Sequence, residues 1–228
     1  MPCGLSRASA FATLCALTEY GNDMEISINW IIIGITAVVS YLALQDRELM
    51  GRLIFWPPAI SKGREYHRLL SYGLVHADFS HFLFNMITLY FFGRLIEQVY
   101  NAIAGPAGYA LFYAGALLAS ILPTYWRHRN DSGYRSLGAS GAVSAVLFAF
   151  ILFDPWAMLI IFVVPMPAIV YAVAYTAYSI YMDRRGRDNV NHSAHLWGAA
   201  YGVLITIIVE PKIIGLFLER LANPSFLN

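Results

Sequence analysis

The sequence predicts an all-α, polytopic membrane protein, in which six transmembrane helices form one bundle. The first observation is composition: of the 228 residues, 58% are apolar and only 13% are charged, which is too apolar for a soluble domain of this length. The second is a series of apolar stretches that approach the roughly 20 helical residues needed to cross a hydrocarbon core about 30 Å thick. The net charge of +1, without a basic segment interleaved with aromatics, argues against a nucleic-acid partner.

The predicted spans are separated by polar loops and prolines. Residues 45–80 form a long connection that holds five Lys/Arg residues together with tryptophan and tyrosine, a composition typical of a loop at the membrane interface. Trp156–Met166 is apolar, but prolines interrupt it, so we expect an interfacial segment there instead of a span. The six predicted spans are Ile26–Leu44, Phe79–Val99, Ile103–Trp126, Leu137–Phe153, Ala168–Met182 and Ser193–Val209.

We expect three parts in the chain. Residues 1–25 form an amino-terminal leader or cytoplasmic segment, because a short apolar patch is followed by acidic residues without a clear cleavage site. Residues 26–210 form the six-span domain, and residues 211–228 form a carboxy-terminal tail. The two cysteines both lie within the first part, so neither a disulfide framework nor a cysteine metal site organises the bundle.

A serine between glycines opens the fourth predicted span. Ser140 follows Gly138-Ala139 and precedes Gly141. A serine hydroxyl is a weak nucleophile unless a base removes its proton, and His195, near the start of the sixth span, is such a base. Two simpler interpretations remain open: small residues let membrane helices pack closely, and a histidine near a helix end can bind a backbone carbonyl.

Small residues at intervals of four predict that spans four and six pack together, because they form one smooth stripe on each helix. Since the two spans run in the same direction, Ser140 and His195 lie at similar depth, and we predict a hydrogen bond between them. The stripes are Gly141 and Ala145 on span four, and Ala194, Gly198 and Gly202 on span six.

Acyl transfer also needs hydrogen-bond donors where negative charge develops on the substrate oxygen. His81 and Asn85 are four residues apart in the second span, so they share one face of a helix. The backbone N–H of Ser140 is a further candidate donor. Asn85 alone is also compatible with a purely structural hydrogen bond between helices.

Together and in this order, these motifs resemble those of the rhomboid intramembrane serine proteases, across all six spans. The resemblance implies Ser140 as nucleophile, His195 as general base without an acid, and His81, Asn85 and the Ser140 N–H as the oxyanion site. It also implies a first loop braced by an arginine and a glutamate, here Arg68 and Glu97, and a fifth span that moves to admit a substrate helix. The positions expected to support the site are His76, Gly138, Gly141, Ser144, Gly198 and Gly202.

Two positions depart from the family pattern. His67 stands where many members have tryptophan. Ser144 stands where many members have an aromatic residue stacked on the histidine, so we expect Ser144 or a water to orient His195. The expected partners are the lipid bilayer and a transmembrane protein substrate whose span unwinds easily, with no cofactor and no metal.

Several alternatives remain open at this stage. A catalytically inactive rhomboid-like binder or chaperone would share the bundle, and His192 is a second candidate base. A zinc site built from His76, His81, His192 and His195 lacks the His-Glu-x-x-His pattern of metalloproteases. We expect an integral, multi-pass protein of a bacterial inner membrane. The orientation implied for bacterial members would put the loops carrying 11 of the 15 Lys/Arg residues outside, against the positive-inside tendency.

Overall fold

Helices make up most of the chain in the computed structural model, which describes residues 27–161, 163–186, 188 and 190–224. The predicted segment 1–25 lies outside the described residues. The helices in chain order are α1 (Ile28–Gln45), α2 (Arg47–Leu53), α3 (Pro57–Ser61), α4 (Arg68–Ser71), α5 (Phe79–Thr88), α6 (Arg94–Ala104), α7 (Gly108–His128), α8 (Ser140–Phe153), α9 (Ala168–Arg185), α10 (His192–Val209) and α11 (Ile213–Ala222).

Four stretches of helix in the described part of the chain are long and apolar enough to cross a membrane: α1, the continuous α5–α6, α7 and α10. The helix at the fourth predicted span, α8, is apolar but has 14 residues, which is about 21 Å of helix. The helix at the fifth, α9, has 18 residues. The mostly helical, polytopic architecture is confirmed. The helix at the fourth predicted span, α8, is shorter than a full crossing.

The segment expected to lie at the interface is a β-hairpin. Strand β1 (Met158–Ile161) pairs antiparallel with β2 (Val164–Pro167). Pro165 and Pro167 lack the N–H that a helix requires, whereas an edge strand tolerates proline. The hairpin leads directly into α9, which begins at Ala168 as predicted.

One buried amide joins three membrane helices. Asn29 on α1 is 1% exposed, and its Nδ2 donates to the Leu89 carbonyl at 3.0 Å, within the π-helical turn that connects α5 to α6. The Tyr109 hydroxyl on α7 donates to Asn29 Oδ1 at 2.9 Å. Gly93 is required beside this amide, because a Cβ there would overlap the Asn29 side chain.

The predicted brace between Arg68 and Glu97 is wrong, because each residue has other partners. Arg68 binds the Glu65 carboxylate and donates to the carbonyls of Gly51 at 2.7 Å and Ile54 at 2.8 Å. Arg68 therefore does brace the first loop, but its acidic partner is local.

Glu97 instead caps the amino end of α1. Its carboxylate accepts from the Ser27 hydroxyl at 2.5 Å and from the backbone N–H groups of Ile28 at 2.5 Å and Asn29 at 3.3 Å. First-turn N–H groups lack partners within their own helix, and an anion stabilises them. The partners of Glu97 are thus set by the position of the amino end of α1.

Helices α8 and α10 approach each other at backbone contact distance, as the stripes of small residues predict. A Cβ at Gly198 would overlap the Gly141 carbonyl oxygen, and one at Gly202 would overlap the Ala145 carbonyl oxygen. The two helices run parallel, with their amino termini together. This packing brings the first turns of α8 and α10 together.

The first loop, the loop before α8 and the carboxy-terminal ends of α7 and α9 meet at this same end. Phe55 and Ser136 exchange backbone hydrogen bonds of 3.0 and 3.1 Å between the first loop and the loop before α8. Arg127 at the end of α7 pairs with Asp183 at the end of α9 at 3.4 Å. The first loop and Arg127 therefore lie at the end of the bundle that holds the amino termini of α8 and α10.

We predict that Gly198→Ala lowers the free energy of unfolding by about 1–3 kcal/mol, because the new methyl group forces apart two packed backbones. The measurement is unfolding in mixed micelles, followed by circular dichroism. Gly34→Ala is the matched control, since Gly34 lies on α1 with no neighbouring atom within 4 Å of its added Cβ. Equal losses in the two variants would contradict the close contact.

Candidate active site

The structure brings Ser140 and His195 into direct contact. His195 Nε2 lies 2.7 Å from Ser140 Oγ, although the residues are 55 positions apart. Ser140 is the first residue of α8 and His195 lies in the first turn of α10. The Asn191 side chain caps α10 by accepting from the Ala194 N–H at 3.0 Å, which fixes the turn that carries His195.

The backbone before Ser140 takes a shape that requires glycine. Gly138 has a φ of +108°, in the region that side chains disfavour. A Cβ at this position would also lie 2.5 Å from the His81 ring. Gly138 thus turns the chain sharply into α8 and leaves room for His81 beside the Ser140 backbone.

His76 holds the segment before Ser140 in place through a hydrogen bond. Its ring is fully buried, and the Ala139 N–H donates to its Nε2 at 3.3 Å. Nδ1 must then carry the proton, which it donates to Ser40 Oγ at 2.9 Å. His76 lies outside the membrane-length helices, and burial, reinforced by nearby His81, lowers its pKa to about 3. His76 is therefore a neutral residue that positions the loop.

Asn85 faces a cavity beside Ser140. It is 5% exposed, and its Nδ2 donates to the His81 carbonyl at 2.9 Å, which leaves its second N–H for another acceptor. The cavity has a volume of about 130 Å³ and lies between α5, α8 and α9, with Asn85, Ser140, Ser144 and Tyr175 among its walls. A serine hydroxyl and an amide donor thus face one space.

Ser144 is hydrogen bonded to a residue other than His195. Its Oγ is hydrogen bonded to the Tyr175 hydroxyl at 2.9 Å, and the Tyr175 ring lies nearly parallel to the His195 ring, 6.0 Å away at 23°. Sequence reasoning missed Tyr175. The available signal was the spacing of Tyr171, Tyr175 and Tyr178, which puts three polar-tipped rings along one face of a membrane helix.

His192, the second candidate base, has a partner other than the serine. Its Nε2 lies 3.0 Å from Asp188 Oδ2. Within the described ranges, no cluster of three or more His, Cys, Asp or Glu residues has the arrangement of a metal site. The geometry thus favours His195 over His192 as the partner of Ser140.

We predict that His76 contributes a pH dependence to stability. A folded pKa near 3, against about 6.5 when unfolded, means that below pH 6.5 the unfolded chain binds a proton that the folded chain does not. Acidification from pH 7 to pH 5 should therefore destabilise the wild type by about 2 kcal/mol more than His76→Gln, whose side chain does not titrate. Equal pH dependence of the two unfolding free energies would contradict this role, since all other titrating groups are shared.

Comparison with known proteins gives three relatives. RHOMBOID-like protein 12, mitochondrial, of Arabidopsis thaliana is 29% identical over 80% of this chain and 58% of its own length. YdcA of Bacillus subtilis, named as a candidate rhomboid protease, is 28% identical over 65% of this chain and 69% of its own. Rhomboid protein 1, mitochondrial, of Saccharomyces cerevisiae is 31% identical over 57% of this chain and 38% of its own.

Two of these relatives are named as mitochondrial, so they do not support the expectation of a bacterial inner membrane. The expectation that the chain is an integral membrane protein is supported. The family model described as the Rhomboid domain matches residues 63–212, which include Ser140, His195, His81 and Asn85. The chain belongs to the rhomboid family.

Proposed function

We propose that this protein is an intramembrane serine endopeptidase that cleaves transmembrane segments of other membrane proteins. The observation that carries the proposal is the 2.7 Å contact between Ser140 Oγ and His195 Nε2. In the reaction, Nε2 accepts the hydroxyl proton as Oγ attacks a peptide carbonyl, and then returns the proton to the leaving amine. Water repeats the cycle on the acyl-enzyme and restores the serine.

Three donors support stabilisation of the tetrahedral intermediate. The Ser140 N–H is in the first turn of α8, where N–H groups have no helical partner. Asn85 has a second amide hydrogen beside the cavity, and the His81 ring abuts Gly138. Fixed donors of this kind act strongly in a site with little water.

The surroundings of the cavity suit a membrane-embedded substrate. The cavity lies between α5, α8 and α9, beside exposed apolar side chains such as Phe84, which is 51% exposed. A peptide bond within a helix is shielded by its own hydrogen bonds, so the substrate span must unwind locally to reach Ser140. Hydrolysis of the acyl-enzyme further requires that water reach Ser140.

The rival function is that of an inactive rhomboid-like protein that binds or escorts membrane helices. Such a protein has no need of a nucleophile hydrogen bonded to a base. Here both residues are present and in contact, and the loop that leads to Ser140 is fixed by Gly138 and His76. These features favour the protease over the binder.

We predict that a fluorophosphonate probe labels the wild type in detergent and that Ser140→Ala abolishes labelling. His195→Ala should slow labelling by at least about 100-fold, because the hydroxyl loses its base. Ser132→Ala, in an exposed loop, is the matched control and should label normally. Labelling that persists in Ser140→Ala would contradict the assignment of the Ser140–His195 dyad. An unlabelled wild type would favour the inactive binder.

We predict that Asn85→Ala lowers kcat for a transmembrane substrate by about 100-fold, the usual effect of removing one oxyanion donor. Asn101→Ala is the control for the same substitution further along the same continuous helix, where Asn101 accepts from the Tyr109 N–H. A kcat unchanged in Asn85→Ala would leave Asn85 with a structural role only.

A further inference from the structure

We propose that Tyr175 is a positioning residue for the general base: its ring holds the His195 imidazole in the orientation that accepts the Ser140 proton, and Ser144 holds the Tyr175 ring. The inference rests on the proposed function and assigns a role to a helix, α9, that contributes no reacting atom.

The imidazole of His195 has only one hydrogen bond to the described part of the protein, the contact of its Nε2 with Ser140. No group among the described residues hydrogen bonds to Nδ1, so a second hydrogen bond from the protein does not fix the ring plane there. Ring contacts take this place: Tyr175 lies nearly parallel to the imidazole at 6.0 Å and 23°, and His192 meets it edge-on at 5.9 Å and 79°. Tyr175 is thus the aromatic ring that faces the plane of the base.

Tyr175 is itself held by a hydrogen bond at its hydroxyl and by packing of its ring. Its hydroxyl is hydrogen bonded to Ser144 Oγ at 2.9 Å, and Ser144 is only 6% exposed on α8, one turn after the nucleophile. Its ring packs against Tyr171 at 5.4 Å and Phe148 at 5.9 Å. A ring with a bonded tip and packed faces has little rotational freedom.

This arrangement restricts the side-chain rotation of His195 that would break the contact with Ser140. Proton transfer requires Nε2 to remain within hydrogen-bond reach of Oγ, and a displacement of about 1 Å in a reacting group costs on the order of 100-fold in rate. An aromatic residue at position 144 would hold the His195 ring from α8 alone. Here the Ser144 hydroxyl on α8 and the Tyr175 ring on α9 hold it together.

The arrangement also ties the base to the position of α9. Tyr175 lines the same cavity as Ser140 and Asn85, and the Ser144–Tyr175 hydrogen bond spans from α8 to α9. A displacement of α9 away from α8 would withdraw the ring from His195.

The test compares fluorophosphonate labelling rates of the full-length protein in detergent, with thermal stability measured on each sample. Tyr175→Leu should slow labelling by at least about tenfold. Tyr175→Phe keeps the ring, so it should lose less than Tyr175→Leu. Ser144→Ala should match Tyr175→Phe, and the two changes combined should not add, because both remove one hydrogen bond. Tyr181→Leu is the matched control on α9, since Tyr181 is 49% exposed and contacts Arg185.

An exchange variant separates positioning from packing. Ser144→Tyr combined with Tyr175→Ser keeps both side chains but moves the ring from α9 to α8, and it should label faster than Tyr175→Leu. If Tyr175→Leu does not fold, Tyr175→Ser takes its place as the reference. Labelling of the exchange variant no faster than that of Tyr175→Ser alone would then overturn the positioning role.

Wild-type rates in Tyr175→Leu would overturn the positioning role while leaving the dyad intact. A loss in Tyr175→Phe as large as in Tyr175→Leu would overturn it as well, because the ring would then be irrelevant. Failure of the wild type to label, by contrast, would overturn the proposed function itself and this inference with it.

Discussion

The contact between the backbones of α8 and α10 is the constraint on which the site depends. Side chains larger than hydrogen at Gly198 and Gly202 would hold the helices apart, since an added Cβ overlaps the carbonyl oxygens of Gly141 and Ala145. An added separation of about 1–2 Å would exceed the tolerance of a 2.7 Å hydrogen bond between Ser140 and His195. The contact between Ser140 and His195 therefore depends on glycine and alanine residues, which carry no functional group.

Buried polar groups then fix what the helix contact brings together. His76 accepts from the Ala139 N–H, Asn29 links three membrane helices, and Glu97 caps α1. In a bundle surrounded by lipid, an unpaired polar group is costly, so each such bond restricts the alternatives open to the chain. The result is a loop whose shape before Ser140 is held by a buried histidine and a glycine of positive φ.

The sequence was sufficient to predict the parts of the site that follow from local patterns. Small residues four apart predict the α8–α10 contact, and that contact brings Ser140 to His195. The sequence did not predict the partners of Arg68, Glu97 or Ser144, because the choice among polar partners on distant elements leaves no periodic signal. Likewise, the prolines after α8 exclude a helix without distinguishing a β-hairpin from an irregular segment, and the aromatic ring beside His195 comes from α9.

The most direct test of the account is an experimental structure of the protein after reaction with a fluorophosphonate. We predict that the phosphorus is bonded to Ser140 Oγ and that the phosphoryl oxygen accepts from the Ser140 N–H and the Asn85 amide. His195 Nε2 should remain within hydrogen-bond distance of Ser140 Oγ. A phosphorus atom on another residue, or a phosphoryl oxygen directed away from these donors, would contradict the account.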